Sequence, residues 1–341
     1  MTMGMNKMGM TKMGMNGKMG RPCPGFTLVE LMVALVLSLV VIGGALMVYL
    51  SSSTSYRAQE ATAQMMENGR TAVEMISRDL RMAEYWKCIG WQAANLSNHL
   101  PYQQRGIYSD NGASGAPDTL RMLQALDQTV VTLTADVELT ELIINDPPPH
   151  TVDPQDIPVT DASGFSAGDI IVVNDCAKGD VFTITGVSGN NLEHNCSNCV
   201  EAYVTGSEVL RVEDVQYYVD DTTDPDNPKL MRIVNGAAAE ELLEGVEDLQ
   251  VHFGEDTDSD GIANRYVTAD VINEPCADGS NPGCWLRVPT ARISLLMRTV
   301  DDHITQQPQS YLYNGTTVTA TDGRLRRAFT AVVALRNQFN N

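Results

Sequence analysis

Basic side chains are scarce in this chain: 23 Lys and Arg stand against 43 Asp and Glu over 341 residues, a formal net charge of −20. Tracking a phosphate backbone needs a basic face, so nucleic-acid binding is not expected. Aromatic residues make up only 6%. Tyr102, Tyr108, Trp285 and Tyr311 stand singly, and isolated aromatics more often cover a small core than form a binding surface. No HExxH, GxSxG, GxGxxG or Walker-type loop occurs, and the five histidines (99, 150, 194, 252 and 303) fall in unrelated segments. The metalloprotease, esterase and nucleotide-binding patterns are therefore missing, and the chain is expected not to be an enzyme. His252 lies in a strand pattern, where a hydrogen-bonded structural role is expected. At 43% hydrophobic and 19% charged, the composition is that of a folded protein.

Long apolar runs are equally rare. There is one, Phe26 to Leu50, whose single charge is Glu30; it exceeds the ~20 residues that a helix needs to cross a bilayer. The 25 residues before it hold 8 of the 17 Met, four basic residues (Lys7, Lys12, Lys18 and Arg21) and no acid. Positive charge before the anchor and an acidic mass after it predict a cytoplasmic N-terminus and a translocated C-terminal part.

The junction reads Arg21-Pro-Cys-Pro-Gly25, then Phe26-Thr-Leu-Val-Glu30-Leu-Met. A secretory signal is cleaved after its apolar core; here the Gly precedes the core and an acid sits at the fifth apolar-run position. This string closely resembles the type III signal of type IV prepilins and pseudopilins. The resemblance implies cleavage by a prepilin peptidase between Gly25 and Phe26, N-methylation of Phe26, and use of Glu30 in assembly. Residues 1–25 are then a leader; a start at Met19 would give one of the length usual in the family. A carboxylate in hydrocarbon costs about 2.5–3.5 kcal/mol on insertion scales. The Phe26 amine of a neighbouring subunit is its natural partner.

After the span, residues 51–84 continue the helix. Met65, Gly69, Ala72, Val73, Ile76, Leu80 and Ala83 recur every three or four residues as one apolar face. Phe26 to Glu84 would form a helix of roughly 88 Å at ~1.5 Å per residue. Gly43-Gly44 predicts a local bend or melted stretch, since each glycine weakens a helix by ~1 kcal/mol.

From about residue 100 short β-rich runs replace the helical period: Thr119–Leu123, Asp169–Val173, Val181–Thr185, Val209–Val219, Leu230–Val234, Asp248–Phe253, Arg292–Met297 and Phe329–Leu335. The expected fold is α+β and pilin-like: a long N-terminal helix, then an antiparallel β-sheet head over residues 85–341. A proline tract within 146–158 marks a candidate subdomain boundary. Val212-Glu-Asp-Val-Gln echoes Val246-Glu-Asp-Leu-Gln at an offset of 34, expected as two similar strands of one sheet.

Phe165–Cys176, Gly245–Gln250, Asp256–Gly261 and the ending Ala334–Asn337 look like segments of the PilW family of minor type IV pilins. The J-type minor pseudopilin of type II secretion and a pilus-tip adhesin are the alternatives. What the PilW resemblance implies is a low-abundance subunit that helps prime pilus assembly, near the filament tip. Its implied partners are other minor pilins, the major pilin, prepilin peptidase, the inner-membrane assembly platform and the bilayer. The implied location is the bacterial inner membrane with a periplasmic head, then the extracellular pilus.

Six cysteines follow the leader, an even count that suggests disulfides in a translocated domain. Cys276 and Cys284 enclose a turn-rich loop and are the first pair expected. Cys196 and Cys199, preceded by His194, offer three zinc ligands at most, so a disulfide is the default there. Cys88 and Cys176 then remain by elimination. Last, Asp256, Asp258 and Asp260 with Gly261 copy the opening of an EF-hand loop. Ile262 would supply its carbonyl and Asn264 a ninth-position contact to calcium. The twelfth position is Val267, so the usual Glu is missing; Asp270 or Glu255 would have to replace it.

Overall fold

A computed structural model describes residues 25–89, 94–95, 106–139, 142–144, 150–152, 156–196, 199, 202–273, 285–305 and 307–335. The chain divides into two units, Met1–Ser55 and Tyr56–Asn341. The proline tract 146–149, Asp153-Pro154, Tyr102, His99, Cys276, Cys284 and Asn337 lie outside the described residues.

A single helix, α1 (Leu28–Met82), runs through both units. In the first unit its apolar side chains are exposed, Leu28 by 76% and Val40 by 68%. Its most apolar 18-residue window has mean hydropathy 2.8, long and apolar enough to cross a membrane. The bend expected at Gly43-Gly44 is not there: both residues are helical. A backbone that makes every i to i−4 bond offsets the weak propensity of two glycines, and more strongly where no water competes for those bonds.

In the second unit the C-terminal part of α1 packs by the predicted face. Met65, Gly69, Ala72, Ile76 and Leu80 are buried, the last two contributing about 1.5–3 kcal/mol each. Gly69 is required by a close approach, because a Cβ there would overlap the Phe329 ring. Asp79, also buried, accepts a hydrogen bond from the Tyr217 hydroxyl at 2.6 Å and lies 3.9 Å from the Arg232 guanidinium. Burial first, and then the Asp79 carboxylate, push the Tyr217 hydroxyl well above its ordinary pKa. This polar joint pins α1 to the strands beneath it.

Among the described residues the head contains two principal sheets. The larger has ten strands, including β1 (Ile107–Asp110), β2 (Thr119–Thr132), β3 (Ile170–Asn174), β4 (Gly179–Ser188), β5 (Asn191–His194), β6 (Glu208–Asp220), β7 (Lys229–Val234) and β8 (Glu240–Glu244). Its spine is β6, paired along one edge with β2 and along the other with β3 and then β7. The burial of β6 alternates almost strictly, as period-two side chains require. The second sheet has four antiparallel strands. Its members are β9 (Val246–Glu255), β10 (Arg265–Val267), β11 (Thr290–Arg298) and β12 (Arg326–Ala334), in the order β10-β9-β11-β12. All eight predicted strand runs are strands. The internal echo, however, is not two strands of one sheet: Val212–Val219 lies in β6 of the first sheet and Val246–Phe253 in β9 of the second.

Among the described residues the core has three parts. One joins α1 to the second sheet and the far ends of β6 and β7, through Ile76, Leu80, Tyr217, Phe253 and Ile293. Another surrounds Trp86 and Val172. The third surrounds Phe182, Cys196, Cys199 and Tyr203.

Candidate functional site

Three features bear on function: the N-terminal segment, the cysteine bridges and the acidic loop. Gly25, Phe26 and Thr27 precede α1, and Glu30 sits in its first turn. The Thr27 hydroxyl accepts a hydrogen bond from the Glu30 N–H at 3.3 Å. Thr27 and Glu30 thus form half of a capping box, a T-x-x-E signal carried by the sequence itself. The cap positions Glu30 at a fixed place in the first turn. Its side chain is exposed and has no hydrogen-bond or ion-pair partner among the described residues. Around it Leu28, Val29, Leu31 and Met32 are exposed as well. An apolar surface of this extent requires lipid or other apolar helices around it.

Cys88 is bonded to Cys176 and Cys196 to Cys199, with Cα–Cα separations of 4.9 and 5.6 Å. The first ties the segment after α1 to the β3–β4 turn. The second closes a short loop over the core part that contains Phe182 and Tyr203. The His194 imidazole accepts the Cys196 N–H through Nδ1 at 3.2 Å, and the two sulfurs, bonded to each other, offer no thiolates to a zinc ion. The expected Cys276–Cys284 pair lies outside the described residues. His252, on β9, departs from its expected bonded state: its Nδ1 is buried without a hydrogen-bond partner among the described residues.

The acidic loop follows β9. One oxygen from each of Asp256, Asp258 and Asp260 lies within 4.8 Å of the others. Asp256 is buried at the base of the loop and the other two are exposed. Its carboxylate accepts N–H bonds from Asp258, Ser259 and Asp260 on one oxygen, and from Gly261 at 2.8 Å on the other. Desolvation works against the charged form of Asp256, but these N–H bonds outweigh it and hold the carboxyl below its ordinary pKa. Gly261 has φ +86°, which only glycine adopts at no steric cost. Asn264 turns its side-chain oxygen to Thr257, accepting from the N–H at 2.7 Å and the hydroxyl at 3.1 Å. Ile262 donates its N–H to Asp260.

The two residues expected to replace the missing twelfth ligand do not do so. Glu255 is held by Arg265 at 2.7 Å, and Asp270 lies on a separate helix, α2 (Ala269–Asn273), where it accepts from Asn111. Val267 is committed to β10, paired with Phe253. Asp256 therefore organises the loop from within, and Asp258 and Asp260 remain as outward oxygens.

Comparison with known protein families gives two matches. Residues 216–337 match PilW, described as type IV Pilus-assembly protein W. Residues 21–46 match the prokaryotic N-terminal methylation motif. The PilW match takes in Gly245–Gln250, Asp256–Gly261 and Ala334–Asn337; Phe165–Cys176 lies outside it. No curated protein matches the chain. The two matches support a type IV pilus-related pilin, a family that implies pilus-component partners and prepilin peptidase processing. The motif and the one apolar N-terminal helix fit a single-pass, membrane-anchored pilin.

Proposed function

We propose that this pilus-related pilin is a minor subunit that primes filament assembly and sits near the tip. It is cut between Gly25 and Phe26, methylated on Phe26, and held in the inner membrane by residues 26–50 until it enters the pilus. The observation that carries this reading is the joint presence of the methylation motif at 21–46 and the PilW match at 216–337 in one chain. The exposed apolar surface of α1 supports it, because assembly replaces lipid contacts with those of neighbouring helices. The families matched describe structural pilins, in keeping with a structural and not a catalytic role.

Mass spectrometry of the chain from sheared filaments is expected to find Phe26, N-methylated, as the first residue. Retention of residues 1–25, or cleavage after Leu50, would sink the pilin reading. Deletion of the gene is expected to abolish surface pili; normal pili that fail to attach would favour an adhesin, and defective protein secretion with normal pili a pseudopilin.

The acidic loop is the second part of the proposal: a weak calcium site built on Asp256, Asp258 and Asp260, with the Ile262 carbonyl and a water-mediated contact to Asn264, whose side-chain oxygen already accepts two bonds from Thr257. Ca²⁺ accepts six to eight oxygens and tolerates water among them. With no bidentate Glu, the affinity should be of the extracellular kind, on the order of 10⁻⁴–10⁻³ M. Calorimetry of the mature chain in detergent is expected to show saturable heat with millimolar Ca²⁺ that Asp258→Asn plus Asp260→Asn removes. No heat from the wild type would leave the loop as a turn held by Asp256.

A further inference from the structure

We propose that β12 is an open docking edge that accepts an extended segment of another protein chain as a fifth strand, with one of that segment's side chains seated in the groove between β12 and α1. The inference does not rest on the pilin reading.

The register shows which backbone groups are open. β12 pairs with β11 so that Ala334 faces Thr290 and Arg326 faces Arg298. Leu335 donates its N–H to the Pro289 carbonyl at 2.9 Å. In an antiparallel ladder the hydrogen-bonding groups alternate along the strand. The odd-numbered residues of β12 therefore bond β11, and the N–H and C=O of Arg326, Ala328, Thr330, Val332 and Ala334 point away from the sheet. Arg326 confirms this parity: its N–H donates to the Gln309 side-chain oxygen at 2.6 Å, and its C=O accepts from the Gln309 amide at 3.0 Å. Gln309 thus closes the first outward position in the way a partner strand would. The next four outward residues have no such bond among the described residues.

The sequence of this edge does nothing to blunt it. Ala328-Phe-Thr-Ala-Val-Val-Ala334 contains no charge and no proline, the two devices by which exposed edges are usually protected. Val332 is 53% exposed.

Alongside the edge lies a groove of about 440 Å³, lined by Val73, Ser77 and Arg81 on α1 and by Phe329 and Ala331 on β12. Ser77 is 3% exposed, and its hydroxyl has no hydrogen-bond partner among the described residues. A buried hydroxyl without a partner is unfavourable, and a polar side chain or backbone group entering the groove would satisfy it. The rim adds a preference of sign. Arg70 and Arg81 line the groove with one acid, Glu74, and Arg327 lies at the start of the strand, in a head that is otherwise strongly acidic. The occupant that fits is an extended segment with alternating side chains, β-branched or small on the groove side, flanked by a carboxylate. Ladder hydrogen bonds would supply affinity, and the groove and rim specificity.

The test uses the full mature chain in detergent and a defined probe, the capped heptapeptide Glu-Val-Thr-Val-Thr-Val-Glu. Amide hydrogen exchange is read residue by residue. The peptide is expected to slow the Ala328, Thr330, Val332 and Ala334 amides at least tenfold and to leave the Phe329, Ala331 and Val333 amides unchanged, since those are already bonded to β11. That alternation distinguishes strand addition from apolar contact alone. Val332→Pro removes one outward donor without touching the β11 ladder; it should weaken binding at least tenfold while the melting temperature holds. If Val332→Pro melts early, Ala334→Pro supplies the same readout from the strand end. Three results would overturn the proposal: outward amides already protected without peptide, no protection with it, or protection that rises with protein concentration alone, which would assign the edge to a second copy.

Discussion

Glu30→Ala is expected to insert into the membrane and to be cleaved normally, yet to fall at least tenfold in sheared filaments relative to wild type. The Glu30 carboxylate stands in the first turn of α1 with exposed apolar neighbours and no hydrogen-bond or ion-pair partner among the described residues. In a lone subunit it costs about 2.5–3.5 kcal/mol to hold in hydrocarbon. Meeting the Phe26 amine of a neighbour in low dielectric would offset that cost, because unlike charges attract far more strongly there than in water. The penalty thus becomes a driving force for assembly, worth roughly two orders of magnitude in an equilibrium. Alanine has neither the penalty nor the attraction, so its insertion improves while its incorporation loses the gain. Glu30→Gln, which keeps the shape and drops the charge, should behave like Glu30→Ala. Wild-type recovery of either variant in filaments would contradict the assembly role.

Removing the Cys88–Cys176 bridge should cost the head about 4–5 kcal/mol, whereas removing Cys196–Cys199 should cost less than half as much. The two bridges span sequence separations of 88 and 3 residues. In the chain-entropy description a disulfide acts mainly by restricting the unfolded chain, and the restriction grows with the logarithm of the loop. That gives about 4.6 kcal/mol for the long loop and about 1.6 for the short one. Small cavities in the core around Cys196 and Cys199, 6% and 3% exposed, add to the second figure but do not close the gap. Denaturant unfolding of the mature chain in detergent, comparing Cys88→Ala/Cys176→Ala with Cys196→Ala/Cys199→Ala, measures both. Equal losses, or the reverse order, would show that the long bridge does not act through the unfolded chain.

The parts of the fold that follow from local pattern were legible. The helix expected over 26–84 is α1 at Leu28–Met82, and its buried stripe is the one read from three- and four-residue spacing. The strands were found because alternation marks them, but their pairing was not. Val212–Val219 and Val246–Phe253 have nearly the same alternation, and nothing in either segment says that they enter different sheets. The acidic loop was legible as a spacing of carboxylates. That Asp256 spends both oxygens on four backbone N–H groups, and that Arg265 engages Glu255, depend on how the chain turns back after β9. The short bridge was expected from its spacing, and the long one, whose residues are 88 positions apart, only by elimination; both are present.

By itself the sequence determined the N-terminal methylation motif, the apolar helix, the α+β order and the acidic turn. Each of these is written in residues that are neighbours along the chain, where covalent spacing already dictates which side chains share a face. Only the tertiary structure decided that Asp79 meets Tyr217, that Phe329 lies over Gly69, and that β12 ends the second sheet with four outward positions unbonded among the described residues. Those features arise between residues far apart in the chain, and packing decides them: which surfaces can be buried together without overlap, and which backbone groups are then left without a neighbour.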